Sequence, residues 1–191
     1  MLMDMPFPRS YWVEKGRFMA GFNPGTRKYE QHLTGREKLN ALLDCGIRSL
    51  VNLMQEGEYH YTVPLVRYVV PNYEADWLKY AADKGLDTRF ARFPIRDMAL
   101  PTVEQMAALL DHIDAEIAAE RPVYVHCQGG IGRTGTTVGC WLIRHGKANS
   151  DNVFDVIGRL RAHIDDGRGF PAQSPETKAQ RRFVVEWQQG Q

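Results

Sequence analysis

Residues 122–135 read Pro-Val-Tyr-Val-His-Cys-Gln-Gly-Gly-Ile-Gly-Arg-Thr-Gly, and they are the most informative stretch of the chain. The compact apolar run from Pro122 to His126 predicts a buried strand. Five residues with three glycines then turn the chain, and a helix is predicted from Arg133 to Gly146. In α/β sheets, loops at the carboxyl ends of strands carry the chemistry, so this turn is the first candidate for a functional site.

The glycine-rich loop predicts an anion-binding site. Glycines adopt backbone angles closed to other residues, so successive N–H groups can converge on one point. The helix that begins near Arg133 directs the positive end of its dipole there, and the guanidinium can bind two oxygens of an anion at once. We therefore expect a phosphate or sulfate anion to bind the loop residues Gln128, Gly129, Gly130, Ile131, Gly132 and Arg133.

Cys127 is the candidate nucleophile. A sulfur ringed by N–H dipoles beside a helix N-terminus is favoured as the reactive thiolate. From beneath a bound phosphoryl group it can attack phosphorus and form a cysteinyl-phosphate, which Arg133 and the dipoles stabilise. Thr134 can donate its hydroxyl to the departing sulfur, or alternatively only cap its helix. His126 directly precedes the sulfur, so we expect it to orient the loop by hydrogen bonds rather than to act as a base.

The mechanism also requires a carboxylic acid on a separate loop at a strand end. Asp97 follows a predicted strand, Thr88 to Ile95, and lies between Pro94 and Pro101, which stiffen its loop. We predict that Asp97 protonates the leaving group and afterwards acts as the base toward the hydrolytic water. A turn residue without catalytic role is the alternative.

Away from these loops, predicted strands alternate with predicted helices. The sequence patterns place an opening strand pair at Tyr11 to Ala20, a strand at Ile47 to Leu53, and helices that begin at Thr34, Glu74, Thr102 and Ser174-Pro175. A further helix carries Val153 to Ile164. This alternation predicts an α/β fold over residues 1–191 as a single domain, with a mostly parallel central sheet flanked by helices on both faces.

Composition and charge exclude several classes of function. The 43% hydrophobic and 25% charged residues are typical of an ordinary soluble domain with a full core. A net charge of +1 provides no field to hold nucleic acid or an anionic membrane, so neither is expected as a partner. No apolar run approaches the roughly 20 residues that span a bilayer, and Asp4 lies where a signal peptide would be basic or apolar. We therefore expect a cytoplasmic protein.

The cysteines and histidines predict neither a disulfide framework nor a metal site. Cys45, Cys127 and Cys140 are odd in number and contain no CxxC pair, and the histidines show no paired spacing typical of metal ligands. No metal ion and no cofactor are expected. Cys45 and Cys140 are predicted core residues; a role in trapping oxidised Cys127 as a disulfide is the alternative.

The sequence resembles the cysteine-dependent protein tyrosine and dual-specificity phosphatases. The resemblance rests on His126-Cys127, five residues, and Arg133-Thr134-Gly135, with Asp97 30 residues before Cys127, where that superfamily carries its acid. The resemblance covers most of the chain. The sequence is similar in particular to the small dual-specificity-like phosphatases of prokaryotes. In this family a late glutamine can position the hydrolytic water, and Gln180 or Gln173 would match it.

This resemblance implies a phosphomonoester hydrolase acting on phosphotyrosine, or on phosphotyrosine and phosphoserine/threonine, in a protein or peptide. The acid loop reads Ile95-Arg96-Asp97 where receptor-type tyrosine phosphatases carry Trp-Pro-Asp, and a tyrosine-recognition loop of their kind is not found. Further candidates for contact with substrate are Arg168, Tyr59, Tyr61 and Tyr73, with a solvated surface or packing as their alternative roles.

Two other functions stay open. A phosphoinositide or inositol phosphate phosphatase is the second enzyme hypothesis, although the five residues between Cys127 and Arg133 are uncharged. A phospho-binding module without catalysis is the third, and it would be expected to have lost Cys127, Arg133 or Asp97.

Overall fold

The central element of the protein is a five-stranded sheet. The structure is a computed structural model that describes residues 5–25, 33–62, 66–69, 72–165 and 171–191. The strands are β1 (Ser10–Glu14), β2 (Phe18–Gly21), β3 (Ser49–Asn52), β4 (Tyr59–Thr62), β5 (Val66–Val69), β6 (Arg89–Arg92) and β7 (Val123–His126). The helices are α1 (Gly35–Asp44), α2 (Glu74–Asp83), α3 (Val103–Ala118), α4 (Gly132–Arg144), α5 (Val153–Leu160) and α6 (Lys178–Val185).

The strand order in the main sheet is β1-β2-β7-β3-β6. Strands β2, β7, β3 and β6 run parallel, and only the edge strand β1 pairs antiparallel with its neighbour. This confirms the predicted mostly parallel sheet. Strand β7 lies at its centre, and all four of its residues are buried. The loop after β7 is therefore held at the middle of the sheet edge where parallel strands end.

Helices cover both faces of the sheet, as predicted. Alternate residues of β7 point to opposite faces, because strand side chains have a period of two. Val123 and Val125 pack with α3, α4, α5 and α6, whereas Tyr124 packs with α1 and α2. Helix α4 is buried from Gly132 to Ile143, so the helix that follows the loop is enclosed on nearly every side.

The predicted helix starts are confirmed at Thr34, Glu74 and Thr102 and wrong at Ser174-Pro175. Thr34 and Thr102 form capping boxes at α1 and α3. The last helix does not start at Ser174-Pro175. It begins at Lys178, because the Thr177 side chain accepts the Gln180 N–H, whereas the Ser174 hydroxyl donates to the Ile131 carbonyl in the glycine-rich loop.

A two-stranded antiparallel sheet of β4 and β5 is the element that sequence patterns did not reveal. Tyr59 and Tyr61, named above as candidates for contact with substrate, therefore lie on strand β4. Among the described residues, no helix is both long and apolar enough to cross a membrane.

Candidate active site

Strand β7 delivers Cys127 to the centre of the sheet edge. The His126 carbonyl accepts a 2.9 Å hydrogen bond from the Leu53 N–H. This bond extends the pairing between β7 and β3 to the last residue of β7. Cys127 follows at once and is 2% exposed. Helix α4 begins only five residues later, so the sulfur-bearing residue and a helix N-terminus flank one short loop.

The carbonyls of this loop are anchored to the surrounding protein. The Gln128 carbonyl accepts the Asn23 N–H at 3.2 Å, and the Asn23 side-chain amide donates to the Gln128 side chain at 3.0 Å. Arg161 donates to the Gly130 carbonyl and Ser174 to the Ile131 carbonyl, both at 2.7 Å. Each of these partners comes from a different segment, so the surrounding fold fixes the shape of the loop.

Anchored carbonyls leave the loop N–H groups facing the other way. In a planar trans peptide, the C=O of one residue and the N–H of the next point in opposite directions. Within the described part of the chain, the N–H groups of residues 128–131 donate no hydrogen bond. Donors without a protein partner, next to the N-terminus of α4, suit a tetrahedral oxyanion.

Arg161 and Ser174 are functional candidates that sequence reasoning missed. The Arg161 side chain is buried, although the C-terminal part of the chain that carries it is rich in arginine. Its guanidinium lies 5.6 Å from the centre of the Tyr11 ring while it holds Gly130. No local pattern signals this role, because the two partners are 31 residues apart.

Gly130 is the loop position at which only glycine fits. Its φ is +69°, a left-handed conformation that L side chains rarely adopt. A Cβ built there would lie 2.5 Å from the Gly21 carbonyl carbon and 2.7 Å from the Phe22 nitrogen. The loop therefore approaches the β2 backbone too closely for any side chain.

Arg133 connects the loop to two other segments. Its guanidinium makes a two-pronged ion pair with Glu58 at 2.7 and 2.8 Å, a 2.8 Å ion pair with Asp97, and a 3.0 Å hydrogen bond to the Ile95 carbonyl. The Arg133 side chain is 1% exposed. Burial opposes its charge, but the hydrogen bonds and charge of Glu58, together with the nearby Cys127 and Asp97, outweigh this and hold the pKa of Arg133 above its ordinary value. The guanidinium is therefore a fixed cation next to Cys127.

Asp97 lies at the mouth of the site. Its side chain is 59% exposed, and one oxygen accepts from Arg133. The loop that carries it is held from two sides, by the Ile95 N–H donating to the Leu53 carbonyl at 3.0 Å and by the Gln180 side chain donating to the Ala99 carbonyl at 3.3 Å. The structure thus brings together the predicted acid, arginine and cysteine-bearing loop.

His126 is placed beneath the loop. The Tyr73 hydroxyl contacts His126 Nε2, and His126 Nδ1 lies 3.0 Å from the Cys127 carbonyl oxygen. Burial raises the pKa of Tyr73, so its hydroxyl keeps the proton and donates to Nε2, which leaves the Nδ1–H to donate to Cys127. Burial also lowers the pKa of His126 to about 3, so the ring is neutral. A buried neutral ring with both nitrogens engaged is suited to fixing the loop.

The other candidate residues have simple placements. The Thr134 hydroxyl is fully buried and has no hydrogen-bond partner in the described part of the chain. Cys140 is buried in α4, and burial raises the pKa of its thiol. Tyr73 is buried against His126. Of its two expected roles, this placement agrees with packing and not with contact with substrate. Arg168 lies outside the described residues.

Among the described residues, no cluster of three or more His, Cys, Asp and Glu side chains is arranged to hold a metal ion.

Comparison with known sequences identifies related phosphatases. The family model for polymorphic toxin system DSP-PTPase phosphatases matches residues 24–147. An uncharacterized protein of Methanocaldococcus jannaschii is 33% identical over 94 residues, which are 49% of this chain and 52% of that protein. Mouse dual specificity protein phosphatase CDC14B is 32% identical over 142 residues, which are 70% of this chain and 24% of that protein. The match thus spans about half of the archaeal relative and about a quarter of CDC14B.

Solved structures show the same fold. Tk-PTP in its active form superposes with a TM-score of 0.64 at 21% identity and covers 94% of this chain and 96% of that one. Kinase associated phosphatase KAP has a TM-score of 0.64 at 15% identity, with 93% and 91% coverage. PTPMT1 in complex with PI(5)P has a TM-score of 0.57 at 20% identity, with 93% and 95% coverage.

Proposed function

The chain belongs to the DSP-PTPase phosphatases, and on this premise we propose that it hydrolyses phosphate monoesters through a cysteinyl-phosphate on Cys127. The observation that carries the proposal is the loop of residues 127–133. The carbonyls of Gln128, Gly130 and Ile131 accept hydrogen bonds from the surrounding protein, the N–H groups of residues 128–131 donate none within the described chain, and Glu58 pairs with the Arg133 guanidinium.

The first step transfers the phosphoryl group to sulfur. The substrate phosphate binds to the N–H groups of residues 128–133 and to the Arg133 guanidinium, and Cys127 Sγ attacks phosphorus opposite the leaving oxygen. The P–O bond breaks as the S–P bond forms, and Asp97 gives its proton to the leaving alkoxide or phenoxide. The loop donors stabilise the charge on the equatorial oxygens throughout this step.

The second step returns the enzyme to its starting state. Water attacks the phosphorus, the S–P bond breaks, and its electron pair returns to Cys127 Sγ. The Thr134 hydroxyl is buried without a partner in the described chain and lies in the first turn of α4, and we propose that it donates to the departing thiolate in this step. The neutral His126 supports the loop and takes no proton, because its pKa of about 3 keeps it unprotonated at neutral pH.

We propose phosphotyrosine peptides and proteins as the preferred substrates, with phosphoserine and phosphothreonine accepted more slowly. The five residues between Cys127 and Arg133 are uncharged, which suits a single phosphate. Met98 and Leu100 are exposed beside Asp97 and provide an apolar rim for an aromatic ring. The acid is itself mostly exposed, so a shorter phosphoserine side chain can also reach the loop.

A panel of substrates tests this proposal. The value of kcat/KM should be highest for a phosphotyrosine peptide, lower for the matched phosphoserine peptide, and lowest for inositol phosphates. Cys127→Ser should abolish turnover in every case, and Cys45→Ser, on the opposite side of the sheet, should not. A maximum for inositol phosphates would favour the alternative class to which PTPMT1 with its bound PI(5)P points. If the protein turns over none of these substrates, the proposed hydrolase function is overturned.

A further inference from the structure

Gln180 and Gln173, the two glutamines expected to position the hydrolytic water, are poorly placed to do so. Gln180 is fully buried, and both ends of its amide are used: the oxygen accepts the Thr177 N–H at 3.1 Å and the nitrogen donates to the Ala99 carbonyl. Gln173 lines a separate cleft of about 250 Å³ with Arg161 and Arg181. The residue of this segment that faces the reacting groups is a different one.

Glu176 lies against the phosphate-binding loop. It precedes α6 by two residues, and its Oε2 atom is 3.2 Å from the point that a Cβ on Gly132 would occupy. The Gln180 amide atoms lie 3.0 and 3.1 Å from the same point, so the Glu176 and Gln180 side chains both pack against the first residue of α4. Within the described part of the chain, the Glu176 carboxyl makes no ion pair or hydrogen bond.

The groups around Glu176 are those of the reaction centre. Asp97 faces it from the acid loop, Arg133 from α4 and the neutral Gln180 from α6. Burial and then the nearby Asp97 charge raise the pKa of Glu176, and Arg133 opposes this only in part. A carboxyl with increased proton affinity that solvent can reach, beside the arginine and the anion loop, is suited to proton transfer.

We propose that Glu176 is the general base of the second step, and that Asp97 serves mainly as the acid of the first. The inference rests on the proposed function above. As water attacks phosphorus, one water proton passes to the Glu176 carboxylate, the new P–O bond forms, and the S–P bond breaks with its electron pair returning to Cys127. Asp97 has by then given its own proton to the leaving group. Proton exchange with solvent restores both carboxyls before the next turnover.

Two carboxyls suit this division because their surroundings differ. Asp97 ends the first step as a carboxylate, and one of its oxygens already accepts from Arg133 at 2.8 Å. Glu176 has no such partner in the described chain, so a water molecule is its natural donor. Each step then has its own proton-transfer group, and removal of one group should slow one step.

Rapid-mixing kinetics with 2,4-dinitrophenyl phosphate separates the two steps, because this leaving group departs without help from an acid. Glu176→Gln should keep the rate of the initial burst within about twofold, lower the steady-state rate about 10- to 100-fold, and accumulate phosphorylated Cys127. Asp97→Asn should slow the burst with phenyl phosphate much more than the burst with 2,4-dinitrophenyl phosphate, and it should not accumulate phosphorylated Cys127. Glu186→Gln, an exposed carboxylate on the same C-terminal segment, is the matched control and should behave as the wild type.

Several outcomes would overturn the assignment. An unchanged steady-state rate in Glu176→Gln would do so, as would equal slowing of burst and steady state, which indicates a structural role. Glu176→Asp keeps the carboxylate and should regain part of the lost rate; a rate no better than that of Glu176→Gln contradicts a base. Circular dichroism melting shows whether each variant is folded. Absence of turnover by the wild type would instead overturn the proposed function itself.

Discussion

At the scale of single residues, Arg133 explains why the parts of the site come together. It reaches the segment before β4 through Glu58 and the acid loop through Asp97 and the Ile95 carbonyl, while its own backbone belongs to α4. A buried cation is costly unless it is paired and hydrogen-bonded. Arg133 meets this requirement, and in doing so it holds two loops in position around Cys127.

Loss of Glu58 should therefore impair catalysis without unfolding the protein. We expect Glu58→Gln to lower kcat/KM for para-nitrophenyl phosphate by about 10- to 100-fold, because the guanidinium loses its two-pronged partner but keeps Asp97 and Ile95. Steady-state kinetics measures the change. Glu56→Gln, an exposed residue of the same turn, is the control, and similar kinetics for both variants would show that the ion pair does not position Arg133.

His126 should make stability depend on pH. Its pKa in the folded state is about 3, below its ordinary value of 6.5, so the unfolded chain binds one more proton between these values. Stability is therefore lost as the pH falls through this range. Between pH 7 and pH 5 the wild type should lose about 2 kcal/mol more unfolding free energy than His126→Gln. Urea denaturation at both pH values measures this difference, and equal losses would contradict a neutral buried ring.

Sequence reasoning reached some of these residues and missed others for one physical reason. Cys127, Arg133 and Asp97 were predictable because they occur after the ends of two predicted strands, at the spacing that the proposed nucleophile, arginine and acid require. Glu58 and Arg161 were missed because they act through contacts 75 and 31 residues away along the chain. Such contacts exist only after the sheet has assembled, and nothing in the local pattern records them.

At the scale of elements, the turn between β7 and α4 is the part whose shape the fold controls most tightly. Asn23 follows β2, Arg161 ends α5 and Ser174 precedes α6, and all three hold carbonyls of this turn. The two adjacent glycines of the turn are not equivalent. Gly130 has a left-handed backbone and touches β2, whereas a Cβ on Gly129 would meet only the Ile131 side chain at 3.7 Å.

This difference predicts opposite outcomes for two neighbouring substitutions. Gly130→Ala should lower the free energy of unfolding by about 2 kcal/mol or more, because it adds backbone strain and a clash with the Gly21 backbone. Gly129→Ala should change it by less than about 0.5 kcal/mol. Urea denaturation of the two variants compares them directly. Equal destabilisation would mean that the loop is not held against β2 as described.

The helices show where local patterns are sufficient. Thr34 and Thr102 begin α1 and α3 through capping boxes that the sequence displays in full. The sequence Ser174-Pro175 also has the pattern of a helix start, but the Ser174 hydroxyl donates a hydrogen bond to the Ile131 carbonyl. Thr177 caps α6 instead. A tertiary contact thus overrides a local preference where the segment meets the active site.

At the scale of the whole molecule, the fold concentrates charge that the composition hides. The net charge of +1 indicates no anionic ligand. The sheet nevertheless brings one buried arginine, a set of N–H groups and the N-terminus of α4 to the same point beside Cys127. The α/β architecture with helices on both faces was predictable from the alternation of strands and helices. The two-stranded sheet of β4 and β5 was not predictable, because its segment carries no sequence pattern that marks it.

The most direct test of the account is to trap the covalent intermediate. The wild-type protein, mixed with 2,4-dinitrophenyl phosphate and quenched in acid within milliseconds, should carry a single added phosphoryl group of about 80 Da on the peptide that contains Cys127. The adduct should be absent from Cys127→Ser and should disappear as the substrate is consumed. Turnover by the wild type without phosphorylated Cys127, or undiminished turnover by Cys127→Ser, would contradict the proposal that this loop performs covalent phosphoryl transfer.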